Sequence, residues 1–193
     1  MQSLKSDAEN AVTWFNLNMM KTNPDKFQVL FLCPPRLTDP FQDNFQFSNI
    51  SIKREHFVKL LGVVIDDKLN FDKHVKEICC KAARQLNALY RLRNLISADQ
   101  RLLLYQCFIM SNFNYCPLVW HFCSRKSIHK IERIQERALR YICNDFTRSY
   151  NNLLDFSGFT TLFTQRIRMF AVEVFKCMND LNPEYICAKK CTI

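Results

Sequence analysis

The stretch VKLLGVVIDDKLNFDKHV, Val58 to Val75, sets two adjacent aspartates, Asp66 and Asp67, directly behind an apolar run of β-formers. Paired carboxylates at a strand end are the ligand type of a two-metal site, where two cations clamp the attacking and leaving oxygens of a phosphoryl transfer. Such a site also needs a third carboxylate from another strand. Asp25, Asp39 and Asp43 lie in loop-like sequence with no comparable β context. The DDKLN segment carries turn-forming residues at each end, and an aspartate there can accept hydrogen bonds from backbone N–H groups. The pair reads as an acidic turn between a strand and a helix; a small metal-dependent nuclease using Asp66 and Asp67 is the competing reading. Other chemistry is sparse. His56, His74, His121 and His129 form no Cys–His or Ser–His arrangement. The ten cysteines include no C-x-x-C, and Cys116, His121 and Cys123 do not reproduce a zinc-finger spacing, so no metal site is expected. Most of the cysteines read as small core hydrophobes.

Charge is the stronger functional signal. Twenty-seven Lys and Arg stand against 18 Asp and Glu, a net charge of +9. A balance this basic points to an acidic partner, most often nucleic acid. With only 2 Gly and 6 Pro in 193 residues, the chain lacks the material for glycine-rich phosphate loops and favours helices over hairpins. No apolar run approaches the roughly 20 residues of a membrane span. The N-terminal MQSLKSDAENAV has no basic-then-apolar signal pattern. An intracellular, reducing compartment, nucleus or cytoplasm, is expected, with thiols rather than disulfides.

The elements that would position these groups follow from periodicity. Leu4, Ala8, Ala11, Val12, Phe15 and Met19 recur at helical steps, and NPDK breaks that helix because Pro24 disfavours a helical Asn23. FQVLFL (Phe27 to Leu32) and VKLLGVVID (Val58 to Asp66) read as strands, with a short extended piece around Phe45 to Ile52 and a proline-rich loop, CPPRLTDPFQDN, between. From Phe71 onward the period is helical. A long amphipathic helix runs to about Leu95, with Asn70 as its expected N-cap. SADQ, Ser97 to Gln100, has the form of a capping box opening a helix through Ile109. Ser127 to Cys143 forms another helix, closed by Asn144, and Thr161 to Leu181 a last one. The fold class is α+β: a small head of one helix and antiparallel strands, then an all-helical body.

Two motifs carry a family resemblance. WFNLNMMKTNPDKFQVLF, Trp14 to Phe31, resembles the segment that follows the catalytic motif in reverse transcriptases of non-LTR retrotransposons of the LINE or jockey type, W-F-x-x-N-x-L-x-x-N-x-x-K-x-x-x-x-x-F. Trp14, Phe15, Asn18, Asn23 and Lys26 match, Phe31 stands one residue short of the pattern's last Phe, and Met20 replaces leucine. About thirty residues on, KLLGVVIDDKLNFDKHV resembles F-L-G-x-x-I-D-x-x-L-x-W-x-x-H-I. Leu61, Gly62, Ile65, Asp66, Leu69 and His74 match, with Phe71 for Trp and Leu60 for Phe. LYRLRNLI, LLLYQCFIMSNFNYCPLVW and IHKIERIQERALRYI are similar to the helices after the polymerase palm.

The resemblance implies a domain plan: residues 1–68 the end of a palm with its primer-grip strand, 69–144 a helical thumb, 145–193 a post-thumb segment. It implies that the catalytic aspartates lie upstream, on a hairpin this chain does not contain, so that Asp66 belongs to a non-catalytic motif and Mg²⁺ serves only the complete polymerase. Lys26 matches the lysine proposed as a general acid in related polymerases, which leaves it nothing to act on here. Leu61, Gly62 and Val63 fall on the primer grip, where Gly62 would let a backbone approach closely. The thumb implies phosphate contacts from cations on helix faces. The candidates are Lys73, Lys76, Arg84, Arg91 and Arg93, with Lys130, Arg133, Arg137 and Arg140 at helical spacing on one face. The expected role is weak, sequence-independent binding of an RNA–DNA or DNA duplex, without polymerase activity and without the parent's N-terminal palm and fingers. The alternative is a non-functional relic or a helical protein-interaction module. A truncated palm would leave sheet edges unpaired, which makes self-association an expectation too.

Overall fold

The computed structural model describes residues 2–32, 44–47 and 50–183 and falls into two units, Met1–Leu69 and Asn70–Ile193. In the first, helix α1 (Gln2–Leu17) turns Ala8 and Val12, one turn apart, onto a core of Phe45, Phe47 and Ile52, joined by Phe27, Val29 and Ile50. Strands β1 (Asn44–Phe47) and β2 (Ile50–Lys53) pair antiparallel with Phe45 opposite Ile52, so alternate side chains share the buried face. The expected break at NPDK is a single 3₁₀ turn, Pro24–Lys26, capped by Asn23 Oδ1 accepting from Asp25 N at 3.0 Å. The expected strand at Phe27 to Leu32 reduces to one parallel bridge, Val29 to Arg54. The proline-rich loop falls outside the described residues over 33–43.

The reading of Val58 to Asp66 as one buried strand is corrected. It is a hairpin, β3 (Phe57–Leu60) against β4 (Val63–Asp66), with Leu60 opposite Val63. Leu61 and Gly62 form the two-residue turn at φ 46° and 86°. Positive φ at both central positions is the type I′ geometry that matches the twist of the flanking strands. The run is equally apolar on both sides of the turn, and that disguised the reversal as a continuous strand.

The second unit holds six α-helices among the described residues. Helix α2 (Asp72–Tyr90) starts without the expected Asn70 cap. Phe71 occupies the N-cap position at φ 57° and supplies no capping side chain. Helix α3 (Ala98–Leu104) opens with the expected capping box: Ser97 Oγ accepts from Gln100 N at 3.3 Å, and Gln100 Oε1 accepts from Ser97 N at 2.9 Å. It continues through six π-helical residues, Tyr105–Met110, into α4 (Ser111–Asn114), farther than expected. Helix α5 (Arg125–Cys143) ends on Asn144 in the left-handed region, as expected. Helix α6 (Tyr150–Ser157) and helix α7 (Leu162–Met178) follow.

Helices α2 and α5 run parallel, because their partners match end for end. At one end Asp72 Oδ1 accepts from Ser124 Oγ at 2.6 Å and from Ser127 Oγ at 2.5 Å. At the other, Tyr90 Oη donates to the Arg137 carbonyl and Arg137 Nη2 donates to Asn87 Oδ1, both at 2.9 Å. The segment between runs back: Arg101 Nε donates to the Ile142 carbonyl, while Asn112 Nδ2 donates to Gln85 Oε1. Val75, Ala82 and Leu86 of α2 meet Ile131, Ala138 and Leu139 of α5 in the core, with Tyr105, Ile109 and Trp120 from the return.

Candidate nucleic-acid interface

The aspartate pair does structural work. Asp66 Oδ1 accepts from Lys68 N at 3.1 Å, closing the turn after β4. Asp67 has a separate partner, its Oδ2 2.9 Å from His56 Nδ1. Among the described residues no group of three or more His, Cys, Asp or Glu could hold a metal ion. Lys26 lies exposed in its 3₁₀ turn. Leu61 and Gly62 sit at the tip of the β3–β4 hairpin, and Val63 is buried at the start of β4.

The cations sort into two groups. On α2 the apolar residues Val75, Cys79, Ala82, Leu86 and Leu89 take the inner face, which leaves Lys73, Lys76 and Arg84 on the outer one. On α5, Ile131, Ile134, Ala138, Leu139 and Ile142 are inward. Lys126, Lys130, Arg133 and Arg137 are exposed at steps of three and four residues. The parallel packing of the two helices joins these stripes at the Asn87–Arg137 contact. At about 1.5 Å per residue, the stripe from Lys126 to Arg140 is about 20 Å long.

The second group is engaged in the bundle. Arg140 pairs with Glu136 at 2.7 Å and donates from Nη1 to the Phe146 carbonyl at 2.9 Å. Glu136 therefore neutralises one end of the stripe, although in sequence the two α5 acids stand off it. The Arg93 guanidinium lies 5.5 Å from the Phe146 ring centroid, and its carbonyl accepts from Arg101 Nη1. Arg91 follows the last residue of α2, exposed. Burial raises the Tyr90 phenol, and Arg137, Arg140 and Arg93 pull it back, which shows how these guanidiniums converge at the end of α2. Near the start of α2 the two serine hydroxyls, Ser124 first, hold Asp72 below the ordinary carboxylate range, helped by Lys130 and Lys126.

The other α5 acid is turned away from the stripe. Glu132 accepts from Tyr150 Oη at 2.6 Å and from Phe163 N at 2.8 Å, tying α6 and the start of α7 to α5. Buried Gln135 joins it, accepting from Leu162 N and donating to the Thr160 carbonyl. Spacing puts Glu132 off the stripe, and the packing of α6 and α7 shows what it bonds instead. Sequence reasoning also missed Arg166, which is buried on α7 with its guanidinium 4.9 Å from the Trp120 ring centroid.

Comparison with known proteins adds a distant relationship. The chain is 26% identical over 148 residues to a protein of Drosophila melanogaster described as a probable RNA-directed DNA polymerase from transposon X-element, covering 74% of this chain and 15% of that protein. It is 28% identical over 94 residues to the RNA-directed DNA polymerase from mobile element jockey of Drosophila funebris, covering 47% of this chain and 10% of that protein. The chain is thus a distant homologue of non-LTR retrotransposon polymerases and spans a small fraction of their length. No family model matches it. No solved structure matches it.

Proposed function

We propose that the chain is the template–primer-holding part of a non-LTR reverse transcriptase, a thumb that grips the phosphate backbone of an RNA–DNA or DNA duplex without reading bases. The observation that carries this reading is the stripe of exposed cations along α5, continued by the outer face of α2. Lys76, Arg84, Lys130 and Arg133 make no salt bridge among the described residues. Mobile cations on a helix face suit phosphate contacts, which fix position and carry no sequence information. The Met1–Leu69 unit takes the place of the palm's end, with the β3–β4 hairpin tip at Leu61 and Gly62 as its primer-side contact. Catalysis stays with the acids and Mg²⁺ of the complete polymerase, so this chain alone incorporates no nucleotide. Its compartment is intracellular; the seven described cysteines are free thiols.

The test is binding of the purified chain to a labelled RNA–DNA hybrid across a salt series. About four phosphate contacts give a slope of log K against log salt near −4, and a loss of roughly 100-fold between about 50 and 200 mM salt. Changing the duplex sequence leaves affinity unchanged. Folded protein that does not bind at the low-salt end overturns the reading. Incorporation of dNTPs on a primed template above a denatured control overturns the assignment of catalysis elsewhere.

A further inference from the structure

Arg166 carries a full positive charge into the second unit and meets no acceptor there. It is 3% exposed on α7, and its Nε, Nη1 and Nη2 are all buried without a hydrogen bond among the described residues. A guanidinium presents five N–H donors, and a buried charge is costly unless it is paired and hydrogen-bonded. Its neighbours do not supply that pairing. The guanidinium carbon lies 4.9 Å from the Trp120 ring centroid and 5.9 Å from that of Phe163; such contacts attract the charge but offer no carboxylate or carbonyl oxygen. Trp120 Nε1 is itself a donor, bonded to the Tyr115 carbonyl. Glu132 is a carboxylate whose field reaches Arg166, yet its oxygens already accept from Tyr150 Oη, Leu162 N and Phe163 N.

A second donor stands beside it. His121, between α4 and α5, is buried, and its Nδ1 has no partner among the described residues. Its ring stacks on Phe163, with centroids 6.0 Å apart and planes at 18°, so Phe163 touches both groups. Burial, and then the Arg166 charge, lower the His121 pKa, which favours the neutral imidazole near neutral pH. A neutral imidazole that carries its proton on Nδ1 donates from it. Two segments distant in sequence thus bring unanswered donors to one aromatic patch. The acceptor that fits them is defined by their chemistry. It accepts from N–H groups, and it is compact, because Arg166 is closed off from solvent. It also carries one negative charge: water would accept without neutralising the guanidinium, and a divalent anion would leave a buried charge of its own unpaired.

We infer that Arg166 and His121 form a binding site for a small monovalent anion of the chloride type, which fastens α7 to the bundle. Lys130 and Arg133 play no part in it, so the inference stands apart from duplex binding. Without the anion, Arg166 is an unpaired buried charge whose replacement by Met is stabilising; with the anion bound, that advantage shrinks.

Thermal unfolding of the full chain tests this, with chloride replacing gluconate, an anion too large for the site, at constant ionic strength. One charge-assisted contact supports half-saturation on the order of 10 mM chloride. The wild type should gain about 3–5 °C in Tm between zero and about 100 mM chloride, levelling off as the site fills. Arg166→Met should show no such gain, and His121→Phe, which keeps the aromatic stack, should need several-fold more chloride. Saturable broadening of the chloride NMR line by the wild type, reversed by bromide, reads the site without any variant. An equal chloride response in wild type and Arg166→Met overturns the inference, because exposed cations would then account for it. So does a wild type whose melting and chloride line are both indifferent to chloride, which would leave water as the acceptor.

Discussion

The link between Asp72 and the two serines sets the register of the basic helices, and its removal has a calculable effect. Asp72 Oδ1 accepts from Ser124 Oγ and Ser127 Oγ, joining positions 52 and 55 residues apart. A hydrogen bond to a charged group contributes about 1.5–3 kcal/mol, but Asp72 is solvent-exposed and each bond is discounted to about 1 kcal/mol. Asp72→Ala also leaves the hydroxyl of Ser127, buried in the first turn of α5, without its acceptor, at a further cost of up to about 1 kcal/mol. The variant should therefore lose about 2–3 kcal/mol, which for a unit of this size lowers Tm by about 6–10 °C. Thermal unfolding followed by circular dichroism reads this directly. In a Ser124→Ala/Ser127→Ala background the same change should cost about 1–2 kcal/mol less, the coupling of a shared network.

The pH dependence has a definite sign. The two hydroxyls hold the Asp72 carboxyl below its unfolded value of about 3.9. As pH falls, the unfolded chain takes up the proton first. The contribution is therefore complete above about pH 4 and is lost as pH drops through the depressed folded value. The gap between wild type and Asp72→Ala should be constant from neutral pH to about 5 and narrow below about 4. A variant that melts within about 1 °C of wild type at neutral pH, or a gap that stays constant down to pH 3, refutes the reasoning.

Three further outcomes follow from the same geometry. Lys130→Ala and Arg133→Ala should each reduce the salt slope of duplex binding by about 1. Arg140→Ala should leave the slope unchanged and lower stability by about 1 kcal/mol, because its guanidinium is held by Glu136 and the Phe146 carbonyl; binding and melting curves of the three variants separate these roles. Leu61→Asn should stabilise the first unit by about 0.5–1 kcal/mol, since φ 46° costs a leucine about that much while Asn tolerates it; slower amide exchange in β3 and β4 is the readout. Arg166 makes no hydrogen bond to a described residue despite its burial, and burial lowers its pKa, so Arg166→Met should raise stability by about 1–3 kcal/mol beyond the lost Trp120 contact; a lower melting point would show that the ring contact outweighs desolvation.

What the sequence disclosed depended on how local the cause was. The Ser97–Gln100 capping box, the left-handed Asn144 and the apolar stripes of α2 and α5 are settled within one or two turns, and periodicity found them. The β3–β4 hairpin was missed because Leu-Gly is an uncommon type I′ pair: only Gly62 signals positive φ, and leucine at the other position hides the turn inside an apolar run. The absent Asn70 cap has a similar origin. Leu69 and Phe71 both stand at positive φ, and the acidic residue at the start of α2 bonds a distant helix. The extension of α3 through π-helical Tyr105–Met110 has no signal in the spacing; its residues and those that follow find tertiary partners, Tyr105 against the Phe159 ring and Asn112 on Gln85.

The candidate interface shows the same division, with a functional consequence. Helical spacing correctly puts Lys130, Arg133, Arg137 and Arg140 on one side of α5, but spacing cannot say which of them the fold has already engaged. Arg140 lies in the last turn, where a cation meets the helix dipole, and it closes on Glu136 and the Phe146 carbonyl. Arg93 caps the same corner from the end of α2. A cation so held cannot also follow a phosphate without giving up its bonds. Under the proposed reading, the stretch of cations left for a duplex is therefore shorter than the sequence stripe, shifted toward the start of α5, and bounded at its far end by the residues that lock α2, α3 and α5 together. Arg137, bonded to Asn87, and Arg140, bonded to Glu136, both belong to that locking end, while Lys130 and Arg133 stand clear of it.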